Sequence, residues 1–184
     1  MEIIKTPIRD LVIIKNRVFA DSRGFFLESY NKKRLAENGI NIDFCQDNMS
    51  KSSYGVVRGL HYQLNPHSQS KLVSVIVGQV YDVAVDIRKN SPTFGQWYGV
   101  ELSEENKWQF LIPQGFAHGF SVLSETAIFS YKCDNFYDPT LERGIMYNDP
   151  ALNIDWKISQ EEAIISDKDL KHPALEQAEL NFVY

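Results

Sequence analysis

The sequence predicts an all-β fold, an antiparallel jelly-roll sandwich or barrel with a few short peripheral helices. Three observations carry this. About ten short runs rich in Val, Ile, Phe and Tyr are separated by turn residues. Gly78-Gln79 joins two runs of matching length, a hairpin signal, and the second run alternates through Tyr81, Val83 and Val85. Helical patterns are short and sit at the margins of these runs.

In chain order, Ile3 to Lys5, Leu11 to Lys15 and Val18 to Ala20 read as strands, the last leading into an Asp21-Ser22-Arg23-Gly24 turn. Phe25 to Tyr30 is an aromatic strand. Asn31 caps a helix over Lys32 to Asn38, which Gly39 ends. Phe44 to Lys51 is extended, and Tyr54-Gly55 turns the chain into Val57 to Gln63. Lys71 to Val77 and Val80 to Ile87 form the hairpin, with Asp82 and Asp86 facing away from Tyr81, Val83 and Val85. Trp97 to Leu102, Trp108 to Ile112, Phe116 to Val122 and Thr126 to Cys133 complete the strands. From about residue 134 the pattern is irregular, with short helices expected near Glu161 and over Ala174 to Leu180. Neither repeat nor linker interrupts the chain, so one domain is expected over 1–184, its last part packing on the barrel.

Composition narrows the function. The 184 residues are 43% hydrophobic and 23% charged, ordinary for a globular protein, and long enough for a real core. A net charge of −5 without any basic run argues against a nucleic-acid surface, although a small anion needs only a few local arginines. No apolar run is long enough for a membrane span, and Met1 to Lys5 is too short and polar for a signal peptide. Cys45 and Cys133 form no CxxC pair, which fits reduced thiols in a cytoplasm.

The chemistry-bearing stretch is Val57-Arg58-Gly59-Leu60-His61-Tyr62-Gln63, followed by a polar loop and Lys71-Leu72-Val73. Strand alternation puts Val57, Gly59, His61 and Gln63 on one face, and Arg58, Leu60 and Tyr62 on the other. A return hairpin would bring Lys71 toward His61, giving a base beside a cation, as chemistry on a carbonyl compound requires. Pro113-Gln114-Gly115-Phe116-Ala117-His118 fits a P-x-G-x-x-H pattern. A three-histidine metal site would need His67 from a loop or His172 from the tail, so no metal is expected.

A set of motifs then comes in a fixed order. Arg23-Gly24-Phe25-Phe26-x-Glu28, Gln46-Asp47-Asn48-x-Ser50, Arg58-Gly59-Leu60-His61-x-Gln63, Lys71-Leu72-Val73 and Gly78 to Asp86 are followed by Ser91-Pro92-Thr93-x-Gly95. Ile112-Pro113-x-Gly115-Phe116-Ala117-His118-Gly119-Phe120, Tyr131-Lys132-Cys133 and Ser166-x-Lys168-Asp169 close the series. Together they resemble the dTDP-4-dehydrorhamnose 3,5-epimerase family, cupin-type enzymes of dTDP-L-rhamnose synthesis, from about Ile3 to the tail. Met49 stands where the family's motif has a histidine, and the stretch after Cys133 reads Asp134-Asn135-Phe136-Tyr137.

The resemblance implies a cupin-like jelly roll, a dTDP-4-keto-6-deoxy-glucose substrate and no cofactor. It implies His61 as base, Asp169 as its orienting carboxylate, Lys71 as oxyanion stabiliser and Tyr131 as acid. Arg23, Arg58 and Lys168 would meet the nucleotide and its diphosphate, Tyr137 would stack on thymine, and Glu28, Gln46, Asp47, Asn48, His118 and Glu142 would line the remainder. It further implies a homodimer whose N-terminal strands bring Arg23 and Glu28 to the partner's site. The competing readings are an epimerase acting at C3 or C5 alone on another nucleotide-linked keto sugar, a metal-dependent cupin oxygenase, and a non-catalytic sugar-binding cupin.

Overall fold

The computed structural model describes all 184 residues, Met1 to Tyr184. The expected strands form two facing antiparallel sheets, but Gly78-Gln79 closes no hairpin: Lys71–Val77 and Gln79–Asp86 lie in different sheets, and the turn carries the chain from one to the other. The first holds β1 (Glu2–Lys5), β2 (Val12–Lys15), β5 (Gln46–Ser53), β7 (Lys71–Val77), β10 (Trp108–Ile112) and β12 (Thr126–Cys133), in the order β1-β2-β10-β7-β12-β5. The second holds β6 (Val56–Gln63), β8 (Gln79–Asp86), β9 (Trp97–Ser103), β11 (Phe116–Val122) and β13 (Glu142–Gly144), in the order β13-β6-β11-β8-β9. Interleaving of sequence-distant strands across both sheets is the jelly-roll pattern. A separate hairpin, β3 (Val18–Asp21) and β4 (Gly24–Leu27), belongs to neither sheet.

Between the sheets lies a core that includes Ile13, Val73, Phe110 and Phe129 from the first sheet and Ala84, Leu102, Phe116 and Phe120 from the second. The outer faces are covered too. Helix α1 (Lys32–Glu37) seats Leu35 against Ile14, Leu72 and Leu111 on the first sheet. The chain beyond Asp134 lays Ile145, Leu152, Trp156 and Phe182 over Val57, Leu60, Val83 and Val85 on the second. Covered on both sides, β11 has all seven residues buried, which is why its sequence is an unbroken apolar run apart from His118 and Ser121.

The tail departs from expectation. No helix forms near Glu161. The Ser159 Oγ–H donates to Glu162 Oε2 at 2.8 Å and closes a single turn, after which Ile164–Ile165 (β14) pairs in parallel with Val56 and Val57. The β-branched pair is drawn into the sheet rather than into a helix. Over Ala174 to Leu180 only Leu175–Gln177 forms a 3-10 turn. Beyond it Leu180 packs against the second sheet, and Asn65 and Asn181 bond each other's backbone, holding the chain extended.

Candidate active site

The site is built around an irregularity in β6. His118 on β11 pairs with His61, and Phe120 pairs with Arg58, so two steps on β11 match three on β6. The extra residue is a β-bulge. Gly59 sits there at φ +126°, and a Cβ on it would lie 2.5 Å from the Gly119 backbone. The bulge corrects the simple alternation. Arg58 and His61 share the face that looks between the sheets, while Val57, Leu60 and Tyr62 pack outward into the covering tail. Arg58 Nε–H reaches Ser52 Oγ of the opposite sheet at 3.0 Å. Lys71 likewise comes across the sandwich on β7, not around a hairpin.

His61 Nε2 bonds Asp169 Oδ1 at 2.7 Å, and the backbone N–H of Gly59 lies 3.4 Å from Asp169 Oδ2. Asp169 opens a 3-10 turn (Asp169–Lys171), and Ser166 Oγ accepts its backbone N–H at 3.1 Å. Burial pushes the Asp169 carboxyl up, but the His61 bond outweighs it and holds the group below the usual carboxylate range. With Nε2 committed to the carboxylate, Nδ1 is the ring atom left for a substrate proton.

Burial lowers the Lys71 ammonium below the ordinary lysine range, against the pull of nearby Cys133, Asp82 and Glu142. Its nitrogen stands 5.8 Å from the centre of the Tyr131 ring on β12, and burial raises the Tyr131 phenol. His118 Nε2 lies 3.0 Å from both carboxylate oxygens of fully buried Asp82. Burial disfavours charge on both partners, pushing the Asp82 carboxyl up and the His118 imidazole down, each partly offset by the other.

At the rim, Glu142 accepts from Lys168 at 2.5 Å and from the Tyr137 hydroxyl at 2.7 Å; these bonds outweigh burial and hold its carboxyl low. The loop carrying Tyr137 is fastened by two glutamines. The Gln63 amide nitrogen donates to the Phe136 carbonyl at 3.0 Å, and Gln46 accepts the Tyr137 N–H at 3.0 Å. Gln46 also donates to Asn48 at 3.1 Å. A cavity of about 360 Å³ opens onto Arg58, His61, Lys168 and Asp169. A larger one of about 480 Å³, between β1, β2 and the loop after α1, holds none of these side chains.

Eleven of the predicted residues therefore converge: His61, Lys71, Tyr131, Asp169, Arg58, His118, Gln46, Asn48, Tyr137, Glu142 and Lys168. Three do not, within one chain. Asp47 alternates to the outer face of β5 and pairs with Lys132 at 2.9 Å. Arg23 lies at the tip of the β3–β4 hairpin, 88% exposed, paired with Asp21, and Glu28 pairs with Arg34 of α1 at 3.2 Å. Met49, 69% exposed, also faces outward from β5.

Sequence reasoning missed the roles of Asp82, whose signal was a carboxylate in mid-strand on the same face as Ala84, and of His172, assigned to the tail. Nor do His61 and His118 form a cupin-type metal set, since Gln63 stands where a second histidine would be and its amide holds the rim loop. The donor atoms of His61, Asp169 and His172 lie within 4.8 Å of one another, the one trio with metal-ligand spacing.

Comparison with known proteins bears on the family and the fold. The family model described as dTDP-4-dehydrorhamnose 3,5-epimerase matches residues 5–177. The chain is 56% identical over 171 residues to the dTDP-4-dehydrorhamnose 3,5-epimerase of Shigella flexneri, covering 92% of this chain and 93% of that one. It superposes with TM-score 0.92 and 58% identity on the crystal structure of the enzyme of that name from Elizabethkingia anophelis, covering 96% and 97%. The dTDP-6-deoxy-D-glucose-3,5-epimerase of Legionella pneumophila, solved with dTDP-4-keto-L-rhamnose, is 54% identical at TM-score 0.92, covering 96% and 93%.

Proposed function

Since the chain belongs to the dTDP-4-dehydrorhamnose 3,5-epimerase family, we propose that it inverts C3 and C5 of dTDP-4-keto-6-deoxy-D-glucose by proton transfer through an enolate. It is an isomerase of dTDP-L-rhamnose biosynthesis. The observation that carries the mechanism is the His61–Asp169 pair at 2.7 Å on the inward face of β6, opposite the sheet whose β7 and β12 carry Lys71 and Tyr131.

Both C3 and C5 flank the C4 ketone, so loss of either proton gives the same kind of enolate. His61 Nδ1 takes the proton. Asp169 holds the tautomer and stabilises the imidazolium that results. Lys71 places its charge near the C4 oxygen, where negative charge develops. Tyr131 returns a proton to the other face, which inverts the centre. Arg58 and Lys168 are the cations that meet the diphosphate, by charge-assisted bonds suited to phosphate oxygens, and Tyr137 packs on the thymine. Gln46, Asn48, His118 and Glu142 line the sugar. The residues need no cofactor for this chemistry.

Arg23 and Glu28 join the site from a second copy in this reading. Supporting it, the β3–β4 hairpin exposes Phe19, Phe25 and Phe26, at 49%, 60% and 69%, and β5 is an eight-residue edge strand with one unpaired side. No helix is long and apolar enough to cross a membrane, and two free cysteines suit a reducing cytoplasm. The test is His61→Ala. Turnover is abolished while affinity for dTDP stays within about tenfold, because the base acts in the transition state; a fully active variant refutes the assignment.

A further inference from the structure

We propose that His172 is a positioning residue for this proton transfer, a second imidazole that shares the Asp169 carboxylate with the base. The inference rests on the reading of His61 as base. His172 Nε2 lies 3.4 Å from Asp169 Oδ1, the same oxygen that bonds His61 Nε2 at 2.7 Å. Its ring packs edge-on to the His61 ring, centroids 5.6 Å apart at 80°. The place for it is built. Gly144, paired with His61 across β13 and β6, has no side chain, and a Cβ there would collide with His172 Nε2.

The backbone fixes the ring as well. The His172 N–H lies 3.4 Å from the Asp169 carbonyl, and the carbonyl of Pro173 accepts from Met146 at 2.9 Å. His172 Nε2 is buried and makes no hydrogen bond in this arrangement, its 3.4 Å approach to Asp169 being an ion-pair distance only, a costly state for a polar atom unless it has a purpose. A lone pair pointed at a carboxylate oxygen would be repelled, so Nε2 carries the hydrogen. Burial and the neighbouring His61 lower the His172 ring's affinity for a second proton, so a small rotation toward Asp169 supplies a donor that leaves the carboxylate charged. It steadies Asp169 and limits the rotation of His61, keeping Nδ1 on the substrate. Asp169 faces His61 from the 3-10 turn, His172 from just after it and Lys168 from just before it, Glu142 from β13, His118 from β11 and Arg58 from its own strand.

The test compares His172→Phe, which keeps a ring over Gly144 but donates nothing, with His172→Gln, which restores a donor. In His172→Phe, kcat falls about tenfold with KM unchanged, as for a misaligned base. The acid limb of kcat/KM moves up by about half a pH unit, since the carboxylate then acts on His61 alone. His172→Gln recovers most of both. Imidazole nitrogen NMR of the unaltered protein gives the check that needs no variant, with His172 in the Nε2–H tautomer. A His172→Phe enzyme with wild-type kcat and limb overturns the proposal, as does an Nδ1–H tautomer. Equal losses in both variants with an unmoved limb mean a purely structural role and overturn it too. Failure of the unaltered enzyme to exchange substrate protons overturns the function reading instead.

Discussion

Replacing Asp169 by Asn isolates the contribution of the buried carboxylate. Asn keeps the shape and an acceptor for the Gly59 N–H, but not the charge. When His61 takes a substrate proton it becomes an imidazolium whose partner oxygen lies 2.7 Å from Nε2. Unit charges about 4 Å apart at an effective dielectric near 20 attract by about 4 kcal/mol. Losing that only in the charged intermediate raises the barrier by a similar amount, about a thousandfold in kcat. The Asn amide also offers Nε2 a donor, which favours the wrong tautomer and adds to the loss. Asp169 is 5% exposed on its side chain and stands behind the base, so affinity for dTDP stays within about threefold. The assay is steady-state turnover beside calorimetric dTDP binding. A kcat within tenfold of wild type, or a loss of affinity as large as the loss of rate, refutes the reasoning. Stability gives an independent reading. The folded Asp169 carboxyl titrates below its unfolded value, so its contribution is present above about pH 4 and is lost as pH falls through the folded value. The Asp169→Asn variant therefore narrows its stability gap to wild type in strong acid.

Other outcomes follow from particular contacts. Lys71 is a cation whose ammonium is lowered by burial, so kcat falls on the basic side before the ordinary lysine range is reached. Lys71→Arg keeps its charge at all working pH and moves that limb upward even at reduced rate; an unmoved limb assigns it to another group. Gly59→Ala must push its methyl into the β11 backbone at positive φ, which destabilises by more than about 3 kcal/mol. Calorimetry then shows a melting temperature at least about 6 °C lower, and an unchanged one denies the bulge its role. Arg23→Ala and His61→Ala chains, each inactive alone, regain about a quarter of wild-type activity when mixed and allowed to re-pair, if each site draws on two copies. Mixed dimers with no recovery place Arg23 outside the partner's site.

The strand ladder is legible in the sequence because each strand is bounded by turn residues and carries two-residue periodicity or, in β11, a run buried on both faces. The tail is not, since a Ser-x-x-Glu turn such as Ser159 to Glu162 opens a helix or a single turn depending on what Ile164 and Ile165 pair with. At the site, His61 and Asp169 are recognisable through motifs, yet their contact joins residues far apart in the chain. The bulge at Gly59 hides which face Arg58 and His61 share, because alternation counts residues and a bulge adds one. His172 is invisible for a similar reason. Its importance depends on Gly144 leaving a space, and a missing side chain has no periodicity to detect.

Incubation with dTDP-4-keto-6-deoxy-D-glucose in D2O, followed by proton NMR of the sugar, tests the central claim most directly. Loss of both the C3 and C5 proton signals, with dTDP-L-rhamnose formed on subsequent reduction, is the predicted result. Exchange at one carbon alone assigns a single-site epimerase, and exchange at neither contradicts the proposed chemistry outright.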